Sequence, residues 1–600
     1  MPVPDEKEGW KQFRRLSFDS KKMSKRVKKA ETATVRHARK FIVGRLDNIR
    51  SVRRHIIVWL SMVGVAIVAV SLQFVWFQES YRTTAAAFGG TYAEASLGPI
   101  ETLNPLYAAS SAEVATSKLL FSSLYSYDTT GHLDGDLAES MQVDATGMIY
   151  TIKIRDNAKW HDGTQLTAKD VAFTVELIKN PEVRSPLRIN WQDVDVKAID
   201  DTTVQFKLPA VYAAFPHALT FAVLPKHILD KVTPGSIREN AFSRSPVGSG
   251  PFSLRLLQNA DGSSGQKVVN MTAFDQYHGG APKLGRFEVH AYATQNDIVK
   301  ALRTGEVSGA TDVFGIDETQ VDTHNYNVLV RPVNSGIYAL LNNDSPTLKD
   351  KSVRQALQIA TDTSEIRKKF DNKVPKLDLP FMNGQLAGND VPQAPAPNLT
   401  KAKALLDQAG WKMDGDIRKK GEVPLELNVA TTKNTQYEKA IEVLAGQWRK
   451  LGVKVTTNIT DTSNPSTNFI QTVLQPRNYD VLLYELFIGA DPDVYAYWHS
   501  TQVGMSGYNF SNYANSTADA ALASARSRLE PDLRNIKYKA FAKQWLEDVP
   551  AIGLYQSVSE YVVNKHVHTF DPKAVLVSAH DRFADILYWS VDQESVYKTP

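Results

Sequence analysis

Residues 479–500, "YDVLLYELFIGADPDVYAYWHS", pass from one kind of structure to another within 22 residues. The run 481–487, "VLLYELF", is short, apolar and rich in residues that suit a buried strand. Gly489-Ala490-Asp491-Pro492 then forces a turn, because glycine and proline end regular pairing. Three large aromatics and a histidine follow. A carboxylate at the end of a buried strand, ringed by Tyr495, Tyr497 and Trp498, suits a cationic guest such as an α-ammonium. Asp491-Pro492-Asp493 serves equally well as a turn that caps a helix whose aromatics face a core. The stretch alone leaves a catalytic cluster, a metal site and a cleft lining open.

Outward from this strand, short apolar segments alternate with helical spacing. Val353, Ala356, Leu357 and Ala360 repeat at i, i+3, i+4, i+7, as do Ala402, Leu405, Leu406 and Ala409. Ile441, Leu444, Ala445 and Trp448 repeat the pattern, with Gly410 and Gly452 placed to cap the second and third helices. Two further helices are expected over about 517–529 and 531–547. Strands are predicted at 149–154, 204–208, 287–292, 338–342 and 453–457 as well as 481–487. Interleaved in this way, they specify α/β lobes with mixed sheets.

The chemistry of known catalytic motifs is missing. The sequence holds no HExxH, no GxSxG, no Walker loop and no GxGxxG followed by an acidic residue. "WHDG" (160–163) reads as a turn between a strand and a helix, and "YHGG" (277–280) as a turn without a nucleophile to serve. Asp491 and Asp493 lack the further oxygen ligands, the glycine and the terminal glutamate of a calcium loop. His499 alone is too few ligands for a transition metal. No enzyme, metal site or cofactor is expected. Cysteine is absent altogether, which excludes disulfides, thiolate ligands and a lipidated cysteine.

At 600 residues the chain exceeds what one core organises, so at least two domains are expected. Its charge is divided unevenly. Residues 1–55 carry 17 Lys/Arg against 6 Asp/Glu, a balance of +11; subtracting this from the whole-chain +4 leaves −7 for residues 56–600. A basic head on a mildly acidic body suggests separate environments and not a uniformly nucleic-acid-binding surface. Ile56–Phe77, "IIVWLSMVGVAIVAVSLQFVWF", has no charged residue in 22 positions. As a helix it is about 33 Å long, enough for a hydrocarbon core of roughly 30 Å. Six basic or imidazole side chains precede it between Lys40 and His55, which places residues 1–55 in the cytoplasm and everything after Phe77 outside. Ala85-Ala86-Ala87 resembles a signal-peptide cleavage site, but the apolar run is long for a cleaved signal, and an uncleaved anchor is expected.

The outer region resembles the extracytoplasmic solute-binding proteins of ABC importers, of the oligopeptide/dipeptide-binding class. The resemblance spans about 89–590 and rests on segments in the family's order. They include "GGTYAEASLGPIETLNPLYAAS" (89–110), "YTIKIRDNAKWHDGTQLTAKDVAFTV" (150–175), "SPVGSGPF" (245–252), "FDQYHGGAPKLGRF" (274–287), "LKDKSVRQALQIATD" (348–362) and the 479–500 stretch itself. It implies an α/β, two-lobed periplasmic-binding-protein-like clamshell with an extra subdomain, preceded here by one transmembrane helix. Lobe I would comprise 88–335 and 558–600, with a subdomain inserted at about 131–244. Lobe II would be 336–557, and 78–87 a linker.

The resemblance also implies a function: capture of a peptide between closing lobes and delivery to an ABC permease with its ATPase. In such relatives an extended ligand pairs through its backbone and an aspartate holds its amine. Asp491 takes that position here. Ala109–Ser111 and Phe487–Gly489 become backbone partners, and Glu485, Tyr508 and Asn509 become cleft liners. The family's range also admits a nickel, sugar or other solute, or a sensing role.

Overall fold

The computed structural model describes residues 32, 36, 46–86, 88–259, 266–316, 320–462, 467–591 and 593–597, in two compact units. The first holds the helix α1 (Leu46–Tyr81), 36 residues long. Its apolar window Val52–Phe77 has no buried share and is long and apolar enough to cross a membrane. Residues 78–86, expected as a linker, form the last turn of α1 and a short strand, Arg82–Ala86. Apart from Thr32 and Arg36, the basic segment before Leu46 lies outside the described residues, as does Ala87.

The second unit, Ala86–Glu594, is organised by one ten-stranded sheet. In chain order its strands are β1 (Thr91–Leu97), β2 (Phe252–Asn259), β3 (Lys267–Ala273), β4 (Arg286–Tyr292), β5 (Gly309–Val313), β6 (Tyr326–Leu341), β7 (Glu426–Thr432), β8 (Lys454–Thr460), β9 (Val481–Phe487) and β10 (Ala551–Asn564). They lie in the order β8-β7-β9-β6-β10-β5-β1-β4-β3-β2. The sheet is mixed: β7 runs parallel to β8 and β9, and β1 parallel to β4 and β5, while β6 is antiparallel to both β9 and β10. Helices α2 (Ser111–Leu120), α3 (Gln295–Thr304), α4 (Lys351–Ala360), α5 (Thr435–Arg449), α6 (Ser516–Arg526) and α7 (Pro531–Asp548) pack around it.

Two strands are unusually long, β6 with 16 residues and β10 with 14. Each contributes to different cores at its two ends. Val333 and Tyr561 pack with residues of β1–β4 and the C-terminal segment, whereas Ile337 and Tyr555 pack with α4, α5 and β7–β9. Between these groups the ladder breaks. Pro332 faces Val558 and Gly336 faces Gln556, so three residues of β6 oppose only Ser557. The backbone groups freed by this bulge are re-bonded, as buried amides require. Asn334 N donates to Val577 O at 2.9 Å, Val333 O accepts from Gln556 Nε2 at 3.0 Å, and Asn334 O accepts from Ile488 N at 2.9 Å. A local defect thus marks the place where the strands change cores.

A separate four-stranded antiparallel sheet, Ala138–Val143, Ile149–Ile154, Thr203–Lys207 and Asp195–Ala198, lies within residues 131–244. "WHDG" is the expected turn, with Gly163 at φ +87°. Its histidine ties this sheet's neighbourhood to "SPVGSGPF": His161 Nδ1 accepts from Gly248 N at 3.1 Å, and Nε2 lies 3.0 Å from Gly250 O. Gly248 must be glycine, because a Cβ there would stand 1.8 Å from Leu120 O.

Candidate functional site

A cavity of about 780 Å³ opens where β6 and β10 change cores. Its floor is Val333 and Ser335 of β6 with Ser557–Glu560 of β10. One wall is the end of β1, the start of α3 and residues 312–315; the other is Glu485 and Phe487 of β9 with the start of α5. Strand alternation explains why β9 supplies those two residues. Leu482 and Leu486 enter one core and Val481 and Leu483 the other, so Glu485 and Phe487 emerge on the second face beyond its core.

On the first wall, Asp312 holds a left-handed conformation, φ +59°. Its carboxylate accepts from Ser96 Oγ (2.7 Å), Leu97 N (3.0 Å) and Ser111 Oγ (2.8 Å). Ser111 therefore reaches the cavity wall through Asp312. Ala109 lies on the exposed loop before α2, its N–H donated to Glu113 Oε2 at 2.9 Å. Opposite, Phe487 is half exposed and its carbonyl accepts from Tyr497 Oη at 2.7 Å. Ile488 N and Gly489 N both donate to Asn334 O, and Gly489 O accepts from Gln385 Nε2 at 2.8 Å. The backbone of 487–489 is thus largely bonded within the protein.

The carboxylates of this region differ sharply. Asp491 is gripped by Arg534 through two bonds, Nη1–Oδ2 at 2.7 Å and Nη2–Oδ1 at 2.6 Å, with both side chains mostly buried. His217 Nε2 stands 4.0 Å away. Asp493 pairs with Arg526 at 2.9 Å, and that guanidinium lies over the rings of Tyr212 and Tyr495. Arg526 O also accepts from Ala213 N, so these pairs join the turn to residues 212–217. The amine-holding role expected of Asp491 would have to displace Arg534. The Glu485 carboxylate, by contrast, has no hydrogen bond or ion pair among the described residues; its charge and, more strongly, burial hold the hydroxyl pKa values of Tyr437 and Tyr555 above the ordinary tyrosine value.

Tyr508 is half exposed and meets Phe510 edge-on. Asn509 requires a correction. It is fully buried, its Nδ2 donates to His499 O and Tyr513 O, and its Oδ1 accepts from Tyr513 N. The side chain fastens its own loop and has no open face for a ligand. The aromatics of 495–499 divide similarly: Trp498 is buried against Trp545, and Tyr495 stacks on His499.

Among the cavity residues that escaped the sequence reading are Asp312, Ser557, Glu560 and Lys439. Glu560 had a legible signal, a carboxylate directly before the apolar Tyr561-Val562-Val563. Its Oε2 accepts from Gly315 N at 2.9 Å, and burial raises its pKa. Among the described residues no group of three His, Cys, Asp or Glu side chains is arranged to hold a metal ion.

Comparison with known proteins agrees with this architecture. The chain is 29% identical over 484 residues to the oligopeptide-binding protein AppA of Bacillus subtilis (strain 168), covering 78% of this chain and 86% of that protein. The solved structure of B. subtilis AppA in complex with a nonapeptide matches with a TM-score of 0.69 at 26% identity, over 84% of this chain and 99% of the other. NikZ of Campylobacter jejuni, in complex with Ni(L-His), matches with a TM-score of 0.70 at 25% identity, over 83% and 99%. The family model for bacterial extracellular solute-binding proteins, family 5, matches residues 132–508, more than half of the chain. The chain belongs to the bacterial extracellular solute-binding proteins of family 5.

Proposed function

We propose that this protein captures peptides in the cavity at the crossing of β6 and β10 and presents them to an ABC permease and its ATPase. The observation that carries the reading is the pair of long strands broken at one level, with an open cavity at the break. A bulge that moves backbone bonds from strand to loop partners lets two cores rotate about a small number of residues. Lobe I is then 88–335 with 558–600 and lobe II 336–557, as the core assignments of Val333 and Ile337 support. Phe487, Gly489 and Tyr508 contribute from one side and Ala109 and Ser111 from the other. Helix α1 tethers the protein by a single pass, with the basic segment in the cytoplasm and the binding unit outside. The role is binding without chemistry. Micromolar affinity needs about −8 kcal/mol, which several main-chain hydrogen bonds and one charged contact supply.

Calorimetry on the full chain in detergent, with mixed peptides of two to nine residues, tests this. Saturable heat with unchanged peptide recovered afterwards is expected. No heat and no thermal stabilisation sinks peptide capture, and cleaved peptide sinks the purely binding role. A chelated metal–amino acid complex is the second reading, favoured by the likeness to NikZ. Titration with Ni(L-His) separates the two.

A further inference from the structure

The cavity wall holds polar groups that the protein leaves without partners. Glu560 is only 2% exposed, yet its Oε1 has no hydrogen-bond partner while Oε2 is fixed by Gly315 N. Ser557, 8% exposed and three residues earlier on β10, has an unpartnered Oγ. The Glu485 carboxylate faces the same cavity without hydrogen bond or ion pair among the described residues. A buried acceptor without a donor is costly, so an arrangement of this kind is stable where a guest supplies the donor.

The charge of the lining specifies that guest. Asp312, Glu485 and Glu560 line the cavity, and Lys439 is the single Lys or Arg among its described lining residues. Asp312 already accepts three hydrogen bonds, from Ser96, Leu97 and Ser111. Lys439 makes no ion pair with any of the three. The starts of α3 and α5 also open here, where one leading N–H of α3 and two of α5 are already capped. Thr294 caps Asp297 N, and Asn434 caps Gln436 N and Tyr437 N. An anion would meet the Glu485 carboxylate and the unpartnered Oε1 of Glu560, whereas a cation would find both as acceptors beside the Ser557 hydroxyl.

We propose that this cavity is a subsite for a cationic group of the ligand, an ammonium or guanidinium, held by Glu485 and Glu560 with Ser557 beside them. The proposal rests on the reading of the cavity as the ligand site. It identifies the preferred ligands as those that carry a positive charge to the strand crossing. With the proposed lobe bounds, Glu485 belongs to lobe II and Glu560 to lobe I, so a cation held by both would bridge the two lobes.

The test uses the full chain in detergent and alanine pentapeptides carrying one lysine or one norleucine at each position, with free or acetylated N-termini. Calorimetry should show at least tenfold tighter binding for a cationic peptide than for its neutral counterpart. Glu485→Gln should reduce that margin to within threefold, and Glu560→Gln should reduce it less. Tight binding that follows lysine irrespective of acetylation identifies a side chain as the source; tight binding lost on acetylation identifies the terminal amine. Equal affinity of charged and neutral peptides, or a margin that survives both substitutions, overturns the subsite while peptide capture stands. If no peptide binds, peptide capture fails and agmatine decides the subsite. Thermal stabilisation by agmatine that Glu485→Gln abolishes upholds it, and its absence overturns it.

Discussion

Glu485 and Asp491 stand six residues apart, on opposite sides of one turn, and have opposite fates. Asp491 lies where Arg534 meets it with two nitrogens, close to His217. Glu485 lies on the face of β9 that opens into the cavity and meets no cation within ion-pair distance. One carboxylate fastens 491–493 and α7 together beside residues 212–217; the other remains available. Position in a cleft and negative charge are common to both. What separates them is whether the fold has already supplied the counter-ion.

The sharpest way to break this comparison is to remove the counter-ion. Arg534→Met leaves Asp491 mostly buried without its cation, and truncating one partner of a buried pair costs about 3 kcal/mol or more. Urea unfolding of the variant should show a loss of that size, largely restored by adding Asp491→Asn. Asp491→Asn alone should destabilise while changing peptide affinity less than about threefold, a factor equivalent to roughly 0.6 kcal/mol. A tenfold loss of affinity from Asp491→Asn at unchanged stability would instead return the amine-holding role to that residue.

The neighbouring pair should matter less. Arg526 is about a third exposed on its side chain, so solvent screens its bond to Asp493. Its stacking over Tyr212 and Tyr495 adds a contact that lysine cannot reproduce. Arg526→Lys is expected to cost about 1 kcal/mol. A loss as large as that of Arg534→Met would show that the two pairs act as one network.

The sequence makes one half of this comparison visible and hides the other. Apolar spacing locates α4, α5, α6 and α7 closely, and β9 is found at its observed bounds, because each buries a stripe that its own period reveals. The strand expected at 338–342 is only the end of β6. Its first half carries Asn327, Arg331 and Pro332, which break the apolar run, and the bulge at 333–335 is a property of pairing with β10. Asp491 is conspicuous in sequence, whereas its partner Arg534 lies 43 residues away on a helix, where spacing gives no hint of the contact. Asn509 misleads similarly, since a polar residue beside an exposed tyrosine reads as a liner until its three bonds to local backbone are seen.

Glu485→Gln should leave the stability of the ligand-free protein within about 0.5 kcal/mol, the range of surface changes that break no bond. Thermal unfolding with and without a cationic peptide checks this. A drop of 2 kcal/mol in the free protein would reveal a structural partner and remove the distinction from Asp491.

The smallest effect has the most informative sign, because acid acts oppositely on the two sides. His217 has its pKa lowered by burial, with Arg534 lowering it further and Asp491 opposing. Its native form is neutral, held by Tyr127 Oη at 3.0 Å from Nδ1. The unfolded chain therefore takes up this proton first, and stability falls as pH drops through about 6.5. Glu560 has its pKa raised, chiefly by burial, against the opposing influence of Lys373. Here the native state takes up the proton first. The penalty of the buried charge is present at neutral pH and disappears as pH falls through the native value toward the unfolded one near 4.5. His217→Asn should accordingly flatten the loss of stability below pH 6.5. Glu560→Gln should stabilise at pH 7 and make no difference below pH 4, in denaturant titrations across that range. A Glu560→Gln variant less stable than the parent at pH 7 would mean that the carboxylate has a cation of its own, and that the cavity side resembles the Asp491 side after all.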